Sequence, residues 1–206
     1  IQPIVSADSL NANIGTLMSR VVGTNNPRTG MPSNVAVFPN AVDDEEPGPF
    51  NQFGVFASSG PFSKGYSPFI PGGGGELQKN MELSIDRTRL GDRKRLLSGL
   101  DRIRRNVDAT GVLEGTDRFQ QQAFDVVLGG VANAFDLSGE DPRTVERFDT
   151  AHLTRFEEWK DKNNKNHYKA NSQSLGKLLL LARRLCENGC NFVTVTTSFV
   201  WDMHAD

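Results

Sequence analysis

Asp202 and His204 stand two positions apart, with Met203 between them, in the closing stretch SFVWDMHAD, residues 198–206. In an extended segment side chains alternate with a period of two, so both would project to the same side. A carboxylate oxygen beside an imidazole nitrogen suits zinc or another divalent cation. Asp206 repeats the phase and is a third, weaker candidate. A bare Asp-x-His recurs by chance, so its weight depends on the element that delivers it.

The other reactive residue types carry less. Thr196, Thr197 and Ser198 lie close to the pair but match no nucleophile motif. Cys186 and Cys190, four apart at the end of a helical pattern, are too widely set for easy disulfide closure and have no nearby partners for a metal site. They read as small buried apolar residues. His152 and His167 fall in a charged stretch and read as surface. Gly72 to Gly75 lacks the Lys-Ser/Thr that a phosphate loop needs and reads as a flexible connection.

A strand and a helix lead into the Asp-x-His pair. Leu175, Leu178, Leu179, Ala182, Leu185 and Cys186 repeat at helical spacing, with Ser172 as the cap before them. Arg183 and Arg184 complement the helix dipole near its C-terminal end. Asn188-Gly189 stops the helix. Phe192, Val193 and Val195 then form an apolar β-run of the kind found in a central parallel strand. Helix, tight turn and strand make half of a βαβ unit. Ligands in open α/β sheets bind outside the carboxyl ends of strands, and Trp201-Asp202-Met203-His204 falls there.

Upstream, residues 9–22 predict a helix with Leu10, Ile14, Leu17, Met18 and Val21 on its apolar face and Gly23 as its stop. Residues 25–33 read as loop, and 34–40 as a short strand ended by Pro39. Residues 41–80 read as a long irregular covering loop. Helices are predicted over about 86–108 and over 118–135, the latter burying Phe119, Ala123, Val126, Val127 and Ala134. Ser138 or Asp141 caps a short helix opening at Pro142. Residues 149–171 read as a polar, exposed insert.

The totals exclude some classes. Hydrophobic residues make up 37%, charged residues 23%, and the net charge is −2, which argues against a dedicated nucleic-acid binder. No apolar run nears the roughly 20 residues of a membrane span. Residues 87–105 hold eight Arg or Lys and two Asp, interleaved with apolar residues as on a solvated helix face.

LLARRLCENGCNFVTV (180–195) and VWDMH (200–204) resemble a bacterial family of sulfatase-like proteins labelled as domain of unknown function 1501. Its members read LLARRLVEAGVRFVTV followed by GWDTH. IGTLMSRVVG (14–23), MPSNVAVFP (31–39), DRTRLGDRKRLLSGLDRIRR (86–105) and AFDLSGEDP (134–142) are similar to further segments of the family. The resemblance covers most of the chain. It implies an α/β fold, an incomplete doubly wound sheet of alkaline phosphatase or sulfatase type, with 1–206 an internal fragment of one such domain. The family's first metal-binding residues would precede Ile1, and its later motifs would follow Asp206. Asp202 and His204 match the family's Trp-Asp-Thr-His motif, with Met203 and Val200 departing from it and neither change removing a ligand. The implied activity is metal-dependent hydrolysis of a sulfate or phosphate ester, with zinc or calcium, on a small-molecule or saccharide substrate, in the periplasm or outside the cell. A fragment with two ligands is expected to bind metal weakly and turn over nothing alone. The alternative is a non-catalytic secreted binding or structural protein with a degenerate form of the same fold.

Overall fold

Two short parallel strands organise the chain. In the computed structural model the described residues are 12–43, 45–46, 48, 58–72, 92, 131–153, 155, 158 and 165–197. Strand β1, Asn34–Val37, pairs in parallel with β2, Phe192–Val195, so that Asn34 faces Phe192 and Val37 faces Val195. β2 is built wholly of residues that favour a pleated surface, and β1 has Val35 and Val37 in that role. Pro39, with no N–H to give a ladder, follows β1 and opens a single 3₁₀ turn, Pro39–Ala41.

The pleat sorts side chains between two helical layers. Val35, Val37, Val193 and Val195 pack with Leu178, Leu181 and Leu185 of the longest helix. The alternate positions face the other way: a methyl group on Gly15 of the first helix would collide with Asn34 and Phe192. β1 is buried along its length and β2 only half-buried. The far edge of β1 is covered by Phe69, whose N–H donates to the Asn34 carbonyl at 2.9 Å and whose carbonyl accepts from the Ala36 N–H at 2.9 Å. Among the described residues β2 pairs with β1 alone.

Helix α1 is Ile14–Val22, capped by Asn13, whose Oδ1 accepts from the Thr16 N–H at 2.7 Å. It ends at Gly23, whose φ of 98° admits glycine readily. The predicted face is turned over. Gly15, Thr16 and Ser19 are buried, while Ile14, Leu17, Val21 and Val22 are exposed. Small residues face the sheet because the helix backbone lies too close to it to admit a side chain at Gly15.

Helix α2, Pro142–Phe148, opens as predicted, with Asp141 Oδ1 accepting from the Arg143 N–H at 2.9 Å. Helix α3, Lys165–Glu187, starts earlier than predicted. Ser172 lies inside it and donates its hydroxyl to the Lys169 carbonyl, so part of the polar 149–171 stretch is helix. Its buried face also differs: Leu178, Leu180, Leu181 and Leu185 are buried, while Leu179 and Cys186 are exposed. The reason is that α3 has neighbours on more than one side, with β2, α2 and three 3₁₀ turns all packed on it. The stop holds: Gly189 N–H donates to the Cys186 carbonyl and Cys190 N–H to the Leu185 carbonyl, the paired bonds of a glycine-terminated helix, and Gly189 has φ of 99°.

Residues 131–135, expected to finish an α-helix, form a 3₁₀ turn instead. Arg184 of α3 holds it, donating to the carbonyls of Asn133 at 2.6 Å and Ala134 at 3.3 Å and pairing with Glu140. The predicted helix over 86–108, apart from Asp92, and the run 118–130 lie outside the described residues, as do Gly73 to Gly75 and most of the 41–57 loop.

Candidate site at the carboxyl ends of the strands

The parallel pairing brings the carboxyl ends of β1 and β2 to one edge. Thr196 N–H donates to the Val37 carbonyl at 3.0 Å, extending the ladder one step past β2. On the β1 side the chain turns through Phe38, Pro39, Asn40 and Ala41. On the β2 side it continues through Thr196 and buried Thr197. Asp202, His204 and Asp206 come five to nine residues later in sequence and lie outside the described residues, as does Ser198.

Two polar atoms stand out at this edge. Among the described residues, Asn40 Oδ1 and Thr196 Oγ1 are buried without a hydrogen-bond partner. Each such atom forfeits roughly 1–3 kcal/mol of lost hydration. Ser33 Oγ and both polar atoms of the Asn34 amide are buried and unpartnered as well, but they flank the opposite, amino end of β1, where Gly15 of α1 closes over Asn34.

The remaining candidates belong to other elements. His152 is exposed in the 3₁₀ turn Ala151–Leu153. His167 lies within α3. The two cysteines are both free thiols and differ: Cys186 is exposed, against expectation, because α3 turns it away from the sheet, and Cys190 is buried. Burial pushes the Cys190 thiol up to about 12, which leaves it protonated and a poor nucleophile at neutral pH.

A cleft of about 780 Å³ is lined by Asp43, Glu46, Glu140, Glu146, Asp149 and Lys177 among others, and Asp43 is tied to the β1 exit turn by its N–H donating to the Pro39 carbonyl at 3.2 Å. Burial raises the Glu46 pKa, with Asp43 adding to it and Lys177 opposing it. Sequence reading did not find this cleft, because its lining comes from three segments far apart in the chain, none with a motif. Among the described residues no three of His, Cys, Asp and Glu gather closely enough to hold a metal ion. No described helix is long and apolar enough to cross a membrane.

The family described as "Protein of unknown function (DUF1501)" matches the chain over residues 6–206. No curated protein and no solved structure matches it.

Proposed function

Because this chain belongs to the DUF1501 family, we propose that it is part of a metal-dependent hydrolase of sulfate or phosphate esters, with a fold of the alkaline phosphatase and sulfatase type, acting in the periplasm or outside the cell. The observation that supports this most is that β2, in whose sequence continuation Trp201-Asp202-Met203-His204 comes six residues later, is a parallel strand whose carboxyl end lies beside that of β1. Side chains beyond such ends converge on the crevice where open α/β sheets bind ligands.

Asp202 and His204 are the residues that would hold the ion. Their donors, one carboxylate oxygen and one imidazole nitrogen, fit zinc as a pair, whereas calcium would draw on the carboxylate alone. Bound there, a divalent cation supplies charge to offset that of the ester oxygens and to activate an attacking oxygen. The chain's own contribution is placement. The β1–β2 ladder, continued by the bond from Thr196 N–H to the Val37 carbonyl, fixes the chain as far as Thr196, six residues before Asp202.

The test is metal content and affinity of the chain against Asp202→Asn and His204→Ala. Each substitution is expected to weaken divalent-metal binding roughly tenfold or more. Binding that survives both substitutions unchanged removes these residues from any metal site and the reading with them.

A further inference from the structure

We propose that Asn188 is a modification site: its side-chain amide converts to aspartate and isoaspartate through attack by the Gly189 nitrogen, and the conversion proceeds when the junction between α3 and β2 opens. Asn188-Gly189 is the sole Asn-Gly pair in the sequence. Glycine carries no side chain to shield its nitrogen or restrict its backbone, so this pair closes a succinimide ring more readily than any other asparagine here. Asn188 is exposed, so water reaches it. The Gly189 nitrogen gives its proton to water or hydroxide and bonds to Asn188 Cγ. The Cγ–Nδ2 bond breaks and ammonia leaves. Water then opens the succinimide at either carbonyl, giving aspartate or isoaspartate, and water is the only reagent consumed.

In the closed junction both reacting groups are occupied. The Gly189 N–H donates to the Cys186 carbonyl at 3.0 Å, and Asn188 Nδ2 donates to the Arg184 carbonyl at 2.9 Å. The loop leading into β1 holds the same two residues. Thr29 Oγ1 donates to the Asn188 carbonyl at 3.1 Å, and Asn26 Nδ2 to the Gly189 carbonyl at 3.2 Å. The nitrogen reaches Cγ only when this set releases, which is a local opening and leaves the core in place. The product cannot rebuild the set. A carboxylate has no proton for the Arg184 carbonyl. It also adds negative charge beside Glu187 at the C-terminal end of α3, where the helix dipole disfavours it. Isoaspartate further lengthens the backbone between α3 and β2. The conversion is therefore one-way and keeps a lasting record of opening.

The experiment incubates the full chain at mildly alkaline pH in heavy-oxygen water and follows the peptide beyond Arg184 by mass spectrometry, which locates the incorporated oxygen. The folded chain is expected to convert at least about tenfold more slowly than the urea-unfolded chain. Asn188→Gln, which closes the corresponding ring poorly, is expected to lose the label. Thr29→Val frees the Asn188 carbonyl and leaves the reacting pair intact. When folded it is expected to convert about two- to tenfold faster, the effect of one lost hydrogen bond on an opening equilibrium, and in urea at the unaltered rate. Asn26→Asp keeps the oxygen that accepts from the Arg28 and Thr29 N–H groups but loses the donor to Gly189, and is expected to act in the same direction. Melting verifies that both variants fold. No conversion in urea, or label retained in Asn188→Gln, overturns the site. Equal rates in the folded and unfolded chain, or unaltered rates in both loop variants, overturn the gate. Equal acceleration of the unaltered chain in sub-denaturing urea, matched to Thr29→Val in stability, overturns it too, since opening would then be global and not local to the junction.

Discussion

Cys186 and Cys190 are four residues apart, yet their environments set them far apart in chemistry. Cys186 is exposed and Cys190 is buried beside the end of α3. An alkylating reagent at pH 8 is expected to label Cys186 within minutes and Cys190 only on unfolding, which mass spectrometry of the native and denatured protein reads directly. Burial raises the Cys190 thiol from an ordinary 9.0 to about 12. The folded state therefore holds this proton more tightly than the unfolded state. That contribution to stability is complete below about pH 9 and is lost as pH climbs toward 12. Urea titrations at pH 8 and pH 11 should show it, and Cys190→Ala should flatten the difference. Arg184 illustrates a residue whose role was illegible in sequence. The charge pattern assigned it to the helix dipole, but its guanidinium is committed to Glu140 and to two carbonyls of the 131–135 turn. Those partners lie 44 to 51 positions away, beyond what spacing reveals. Arg184→Ala is expected to cost about 3 kcal/mol, because it strands a largely buried carboxylate; a drop of under 0.5 kcal/mol in chemical denaturation would show the cluster to be idle.

At the level of elements, the stops were legible and the faces were not. Gly23 and Gly189 end helices for a reason local to the backbone, the positive φ that glycine adopts freely, and Asp141-Pro142 opens α2 by equally local chemistry. Which side of a helix is buried depends on how near its neighbour comes. In α1 the apolar stripe invites burial, yet the close approach to Asn34 and Phe192 selects Gly15, Thr16 and Ser19 for the sheet. Val21→Lys on the exposed side is thus expected to change stability by less than about 0.5 kcal/mol, whereas Ser19→Leu should cost about 1–3 kcal/mol by overpacking. Equal costs would refute the inverted face. Gly176 sets two opposed effects against each other in α3. Alanine would gain about 1 kcal/mol of helix propensity, but its methyl would fall on the Phe148 carbonyl, which is backbone and cannot step aside cheaply. The Thr150 hydroxyl, donating to the Ser172 carbonyl at 2.6 Å and accepting from the Gly176 N–H at 3.1 Å, fixes that approach. Gly176→Ala is expected to be a net loss in thermal melting.

For the molecule as a whole, helix–turn–strand order and the parallel character of β2 followed from residues 172–196, where hydrophobic period, cap and stop agree. The partner of β2 did not, since nothing in NVAV names FVTV as its neighbour. The candidate site was legible only as the motif Asp202-x-His204. In the sequence Thr196 stands out only for its place near the pair, and that its Oγ1 and Asn40 Oδ1 are buried and unpartnered was illegible, because it is a property of the assembled edge and not of either residue's neighbours in sequence. The same β1–β2 pairing has a further consequence during synthesis. Asn34 and its partner Phe192 are 158 positions apart, taking 192 minus 34. At ordinary elongation rates of about 5–20 residues per second, β1 leaves the ribosome roughly ten to thirty seconds before β2 exists. Through that interval Val35, Ala36, Val37 and Phe38, all destined for the interior, have no strand from β2 to join. A trigger-type chaperone that shields nascent apolar segments is therefore expected to raise the soluble yield of this chain, and ribosome-bound intermediates stalled before residue 190 should be its best clients.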